Sequence, residues 1–85
     1  MQIPQTSANP NRPFFYTVLE IQELPSGARA CVPPVIYSDY DEAVAHFFQV
    51  CAAAAKSAIN YHSAHVLRSD GMITDYRIFD RRGDL

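Results

Sequence analysis

Between Ser38 and Ile59 the chain reads SDYDEAVAHFFQVCAAAAKSAI. Val44, Phe47, Phe48, Cys51, Ala55, Ala58 and Ile59 recur at steps of three and four, while Glu42, His46, Gln49, Ala53 and Lys56 lie opposite. That is the pattern of a helix with one buried stripe and one wet one. Ser38, three positions before Asp41, stands where a capping box begins, and Asp39, Asp41 and Glu42 suit the positive end of the helix dipole. The alanine run has high helix propensity, and its small side chains let the helix lie close to a sheet, or to another helix in an oligomer. One helix covers only one side of a sheet, and this limits what an 85-residue chain can bury.

On both sides of the helix the apolar period shortens. FFYTVLEIQEL, from Phe14, is rich in β-branched and aromatic residues and runs into Pro25, Ser26 and Gly27, a loop whose third position suits a left-handed glycine. A second strand follows from about Ala28 to Val32, with Leu24 opposite Ala28, Glu23 opposite Arg29 and Ile21 opposite Cys31. Pro33 and Pro34 then end the ladder and mark this strand as a sheet edge. Residues 61–68 and 72–79 form another hairpin around Ser69, Asp70 and Gly71. The predicted order is β-β-α-β-β, an α+β domain with one long helix on one face of a four-stranded, mainly antiparallel sheet whose strand order stays open. Residues 1–13 hold three prolines and mostly polar side chains and read as a flexible arm. The domain spans 14–80, and 81–85 read as a flexible tail.

His62 and His65 suggest a metal pair, but residues three apart on a strand point to opposite faces. The three-residue loop sets Leu67 opposite Ile73, Val66 opposite Thr74, His65 opposite Asp75, Ala64 opposite Tyr76, Ser63 opposite Arg77 and His62 opposite Ile78. One surface then carries Ala64, Val66, Met72, Tyr76 and Ile78 towards the helix, with His62 at its border. A two-residue turn would instead pair His65 with Tyr76 and Val66 with Asp75, mixing apolar and charged groups on both surfaces. On the first strand, Phe15, Leu19 and Ile21 are expected to face the helix, leaving Phe14, Tyr16, Val18, Glu20 and Gln22 uncovered.

The expected interaction surface is therefore Tyr16, Val18, Tyr61, His65, Leu67, Ile73, Asp75, Arg77 and Phe79, an apolar patch with polar groups among it. Such a patch fits a protein partner or a second copy of the chain, which would also supplement the marginal stability of so short a fold.

Net charge is −2, and apart from Arg81 and Arg82 the basic residues are dispersed, so direct nucleic-acid binding is not favoured. The alternative, a nucleic-acid-associated accessory factor, would use Arg12, Arg29, Arg68, Arg77, Arg81 and Arg82. Cys31 and Cys51 lack a paired spacing and read as reduced, buried small hydrophobes. No signal-peptide pattern or membrane-length apolar run is present, so the cytoplasm is the expected compartment. No catalytic, cofactor-binding or metal-ligating constellation stands out. Cys51 and His46 project about 140° apart on a helix, no phosphate-binding glycine loop occurs, and a non-enzymatic role is expected. Arg82, Gly83 and Asp84 form an adhesion-type tripeptide, read here as a solvated chain end.

The build of residues 14–80, with "FFYTVLEIQ", the alanine-rich helix and "YHSAHVLRSDG", resembles small uncharacterised proteins of bacterial phages and conjugative elements. That resemblance implies a setting in which short proteins bind and disable host machinery, anti-CRISPR proteins among them, and it assigns no residue a role.

Overall fold

Both hairpins close on the loops that their glycines permit. Gly27 and Gly71 adopt φ of 89° and 94°, where a Cβ would be strained. In each loop the glycine N–H bonds back three residues, to Leu24 C=O and to Arg68 C=O, both at 2.8 Å. In the computed structural model, which describes residues 14–82, these loops join β1 (Tyr16–Glu23) to β2 (Arg29–Tyr37) and β3 (Tyr61–Arg68) to β4 (Ile73–Asp80), with α1 (Tyr40–Lys56) between the hairpins. The strands form one antiparallel sheet in the order β2-β1-β3-β4, so the expected ββαββ architecture holds and β2 is an edge. The flexible arm expected for residues 1–13 and the last three residues of the expected tail lie outside the described residues. Arg81 is held, its N–H on Asn60 C=O at 2.7 Å and its guanidinium on the carbonyls of Ala54 and Ala55. Among the described residues no helix is long and apolar enough to cross a membrane.

The β1–β2 ladder keeps the expected pairs near the turn, including Glu23 with Arg29 and Ile21 with Cys31. Pro33 and Pro34, however, do not end β2. Two residues of β2 stand opposite Leu19 and form a bulge there, after which pairing resumes from Val35 with Val18 to Tyr37 with Tyr16. An edge strand tolerates this because one side of it donates no ladder bonds.

The core is a seam between α1 and the two central strands. Ala43, Phe47, Val50 and Ala54, at steps of four, three and four, are the buried residues of the helix, and the first three pack with Val18, Ala64 and Val66. The helix cap is Asp39 rather than Ser38, with Asp39 Oδ1 accepting from Asp41 N–H at 3.2 Å. The buried stripe is also rotated from the expected one. Val44 and Cys51 are half-buried on its flank, Ala55 and Ala58 are exposed, and Phe48 is 62% exposed. Packing centres on Ala43 and Ala54, whose small side chains allow the closest approach, so a stripe traced through the larger residues is off axis.

Two strand faces differ from expectation. On β1, Val18 is 2% exposed and Tyr16 packs against the core, so Tyr16, Val18, Glu20 and Gln22 face the helix side while Leu19 and Ile21 face away. On β4, Leu67 pairs with Ile73 as expected, but Thr74 is an extra residue, and beyond it Val66 meets Asp75, His65 meets Tyr76 and Ala64 meets Arg77. A one-residue slip turns every later side chain over. Asp75, Arg77 and Phe79 therefore lie on the helix side, Tyr76 and Ile78 on the other, and Met72 is exposed in the turn.

Val18→Asp should unfold the domain or destabilise it by about 4 kcal/mol or more, because it buries an unpaired carboxylate. Ile78→Asp, on the open side, should shift stability by about 1 kcal/mol or less. Urea unfolding followed by circular dichroism separates the two, and equal losses would contradict this placement of the faces.

Candidate interaction surface

The sheet face opposite α1 is built by alternation on all four strands. β1 contributes Thr17, Leu19 and Ile21, β3 contributes Tyr61, Ser63, His65 and Leu67, and β4 contributes Ile73, Tyr76 and Ile78. Cys31 and Ile36 of β2, opposite Ile21 and Thr17, extend it to the edge. No described element lies over this face. On β4, Tyr76 is 66% exposed, Ile73 54% and Ile78 47%, three large apolar side chains in neighbouring positions of one edge strand.

Of the surface residues expected from sequence, Tyr61, His65, Leu67 and Ile73 lie on this face. Tyr16, Val18, Asp75, Arg77 and Phe79 do not; they lie on the helix side, where Asp75 accepts a hydrogen bond from Tyr40 hydroxyl at 2.7 Å and Arg77 lies over the Phe79 ring at 5.2 Å. The sequence reading missed Leu19, Ile21, Tyr76 and Ile78, which it assigned to the core. Cys31 was also expected to be buried and is exposed. The pairing of Ile21 with Cys31 across the first hairpin is the sequence signal that ties Cys31 to the face of Ile21.

The polar centre of the face is a short chain of contacts. His65 Nε2 and Ser63 Oγ share a hydrogen bond at 3.1 Å, and the His65 ring stacks on Tyr76 at 6.4 Å with an interplanar angle of 13°. Burial pushes the His65 imidazolium pKa below its ordinary 6.5, because the apolar surroundings disfavour the charged form. A serine beside a histidine invites a nucleophile reading, but Ser63 is fully buried, which leaves its hydroxyl no approach for a substrate. The carboxylate expected opposite His65, Asp75, is on the other side of the sheet.

His62 and His65 do fall on opposite faces. His62 is buried under the helix side, donating from Nε2 to Glu20 Oε2 at 2.6 Å, and Gln22 Nε2 donates to the same oxygen at 2.9 Å. Among the described residues no cluster of three histidine, cysteine, aspartate or glutamate side chains is placed to hold a metal ion. A groove of about 690 Å³ lies between the first hairpin turn and the exit of the helix, lined by Leu24, Gly27, Ile59 and Arg82 among others, and it holds no histidine, cysteine or serine.

The arginines are largely occupied within the chain. Arg68 makes a two-pronged bond to Asp70, and Arg82 does the same to Asp80, holding both carboxyls down at about 2. Arg81 binds helix carbonyls, and Arg29 lies over the Tyr61 ring at 3.8 Å. Arg12 lies outside the described residues, as do Gly83 and Asp84 of the terminal tripeptide. Comparison with protein-family models, curated proteins and solved structures finds no match.

The lowered affinity of His65 for a proton has a consequence for stability. Above pH 6.5 both folded and unfolded states carry a neutral imidazole, whereas below it the unfolded chain takes up the proton first. The stability tied to His65 is thus complete above pH 6.5 and declines as pH falls below it. Melting temperatures measured from pH 8 to pH 5 should fall less steeply in His65→Phe than in the parent, and parallel curves would refute the assignment.

Proposed function

We propose that this chain is a non-enzymatic interaction module that binds a protein partner through the open sheet face. The observation that carries the reading is the cluster of Ile73, Tyr76 and Ile78, each about half exposed or more, continuous with Leu19, Ile21 and Leu67 on a face that no described element covers. A contiguous apolar patch of this kind is characteristic of interaction sites, and an aromatic residue near its middle suits an anchor. His65, half-buried and held by Ser63, offers the patch a polar contact without placing a fixed charge in its centre, which limits the desolvation cost of covering it.

The intramolecular pairing of Arg68 and Arg82 and the stacking of Arg29 support this reading over a nucleic-acid-associated role, because few guanidinium groups remain to replace counterions on phosphates. The resemblance to phage and conjugative-element proteins makes host machinery, CRISPR–Cas complexes among it, the partner class that this reading adopts.

The double variant Ile73→Asp/Ile78→Asp tests it. Both side chains are on the open face, so the variant should keep its far-UV circular dichroism and lose a partner that the parent protein retains in affinity capture. Retention by the parent should change little between low and high salt, since apolar burial is not screened. Undiminished capture by the folded double variant would overturn the reading, and a steep loss of binding with salt would favour nucleic acid instead.

A further inference from the structure

The two edges of the sheet are unlike. β2 is interrupted by Pro33 and Pro34 at its bulge, and proline has no N–H to offer an approaching strand. β4 runs without proline or irregularity from Asp75 to Asp80. Its outward backbone groups can be identified from bonds at the two ends of β3. Ser69 N–H donates to Phe15 C=O on the β1 side, and Arg81 N–H donates to Asn60 C=O on the β4 side. By alternation, Asp75, Arg77 and Phe79 turn their N–H and C=O towards β3, and Tyr76 and Ile78 turn theirs outward.

We propose that a second copy of this chain fills this edge, with β4 antiparallel to β4 of the copy about a two-fold axis that passes between the two Tyr76 residues. Three symmetric registers set the outward groups of Tyr76 and Ile78 opposite themselves or each other. Centred on Arg77, the two guanidinium groups face each other directly and Asp75 meets Phe79. Centred on Ile78, Arg77 meets Phe79 and Asp75 falls at the end of the ladder. Centred on Tyr76, Asp75 of each copy meets Arg77 of the other, twice over, on the helix side, and the two Tyr76 residues pair on the open side. The order Asp75, Tyr76, Arg77 is thus self-complementary when reversed, as an isologous interface requires.

The local geometry suits this register. Tyr76 would exchange both N–H to C=O bonds with its copy, which places Asp75 and Arg77 at non-hydrogen-bonded sites, where Cα atoms approach to about 4.5 Å and side chains lie nearest. Asp75 accepts both of its side-chain hydrogen bonds, from Tyr40 and Thr74, on Oδ2, which leaves Oδ1 for a guanidinium. Arg77 makes no ion pair among the described residues; it lies over the Phe79 ring and within electrostatic reach of the Cys51 thiol, which leaves its N–H groups for a carboxylate. The edge and the open face share Tyr76, but Asp75 and Arg77 lie on the helix side, so charge variants there test the dimer without altering Ile73, Tyr76 or Ile78 of the open face.

Sedimentation velocity over a concentration series, with far-UV circular dichroism on every variant, tests the proposal. The parent should sediment as a dimer that dissociates on dilution. Arg77→Asp sets carboxylates opposite each other at both sites and should raise the dissociation constant by at least about tenfold. Asp75→Arg/Arg77→Asp exchanges the charges, restores complementarity and should bring the constant back towards the parent value. Tyr76→Pro removes an outward N–H without touching the β3 ladder and should give a folded monomer. A parent that stays monomeric throughout, a folded Arg77→Asp that dimerises as the parent does, or a folded Tyr76→Pro that still dimerises would overturn it.

Discussion

The structure depends on the contact of Ala43, Phe47 and Val50 with Val18, Ala64 and Val66. Two of these six are alanines, and with only a Cβ at those points the helix lies close to the strands, where the three valines and Phe47 pack together. Burying side chains of this size contributes roughly 1.5–3 kcal/mol each, enough to matter in so small a domain. Because the seam runs over the two central strands, the edges receive only flank contacts. On one side Tyr37 hydroxyl meets His46 Nδ1 at 3.1 Å, and on the other Tyr40 meets Asp75. Side chains farther out, such as Phe48, are left exposed.

Towards the end of the helix the inner face changes from apolar to polar. Gln22 and His62 both donate to Glu20 Oε2, and Arg81 takes up the last helix carbonyls. A partly buried carboxylate–imidazole pair is weak evidence for stability, since desolvation offsets much of the attraction. It does constrain the phase of β1. Turning β1 over would place Leu19 and Ile21 inward and strand His62, whose Nδ1 is already without a partner in the buried interior. His62 and Glu20 thus make one of the two faces of β1 much the better choice.

This explains which parts of the fold were legible in the sequence. The helix, both hairpins and their loops could be read because glycine in the third loop position and the change of apolar period are local signals. The faces depended on non-local information. β1 is apolar on both sides, with Val18 on one and Leu19 and Ile21 on the other, so counting apolar residues favours hiding the pair; the acceptor that His62 needs, Glu20, two residues along β1 from the Gln22 that pairs with His62, decides otherwise. On β4 the alternation of ITDYRIF fits an inward Tyr76 and Ile78, and nothing in Thr74 announces a bulge. Once Thr74 is taken out of the ladder, the pairing of Val66 with Asp75 follows, and Asp75 finds Tyr40 as its donor. Four of the nine expected surface residues were therefore placed on the right face, and the other five follow these two slips.

Both slips move apolar side chains the same way. The phase of β1 takes Leu19 and Ile21 out of the core, and the bulge in β4 takes out Tyr76 and Ile78, while Glu20, Gln22 and Asp75, half-buried, and Arg77, exposed at the edge, take the helix side in their place. For an isolated domain that is an expensive exchange, since burial of apolar area is the main source of stability and polar groups under the helix must all find partners. The exchange is favourable for a chain whose outer face and bare edge are covered by other molecules, because the same four apolar residues then count towards association instead of folding. The polar residues under the helix become the fixed framework that holds them outward.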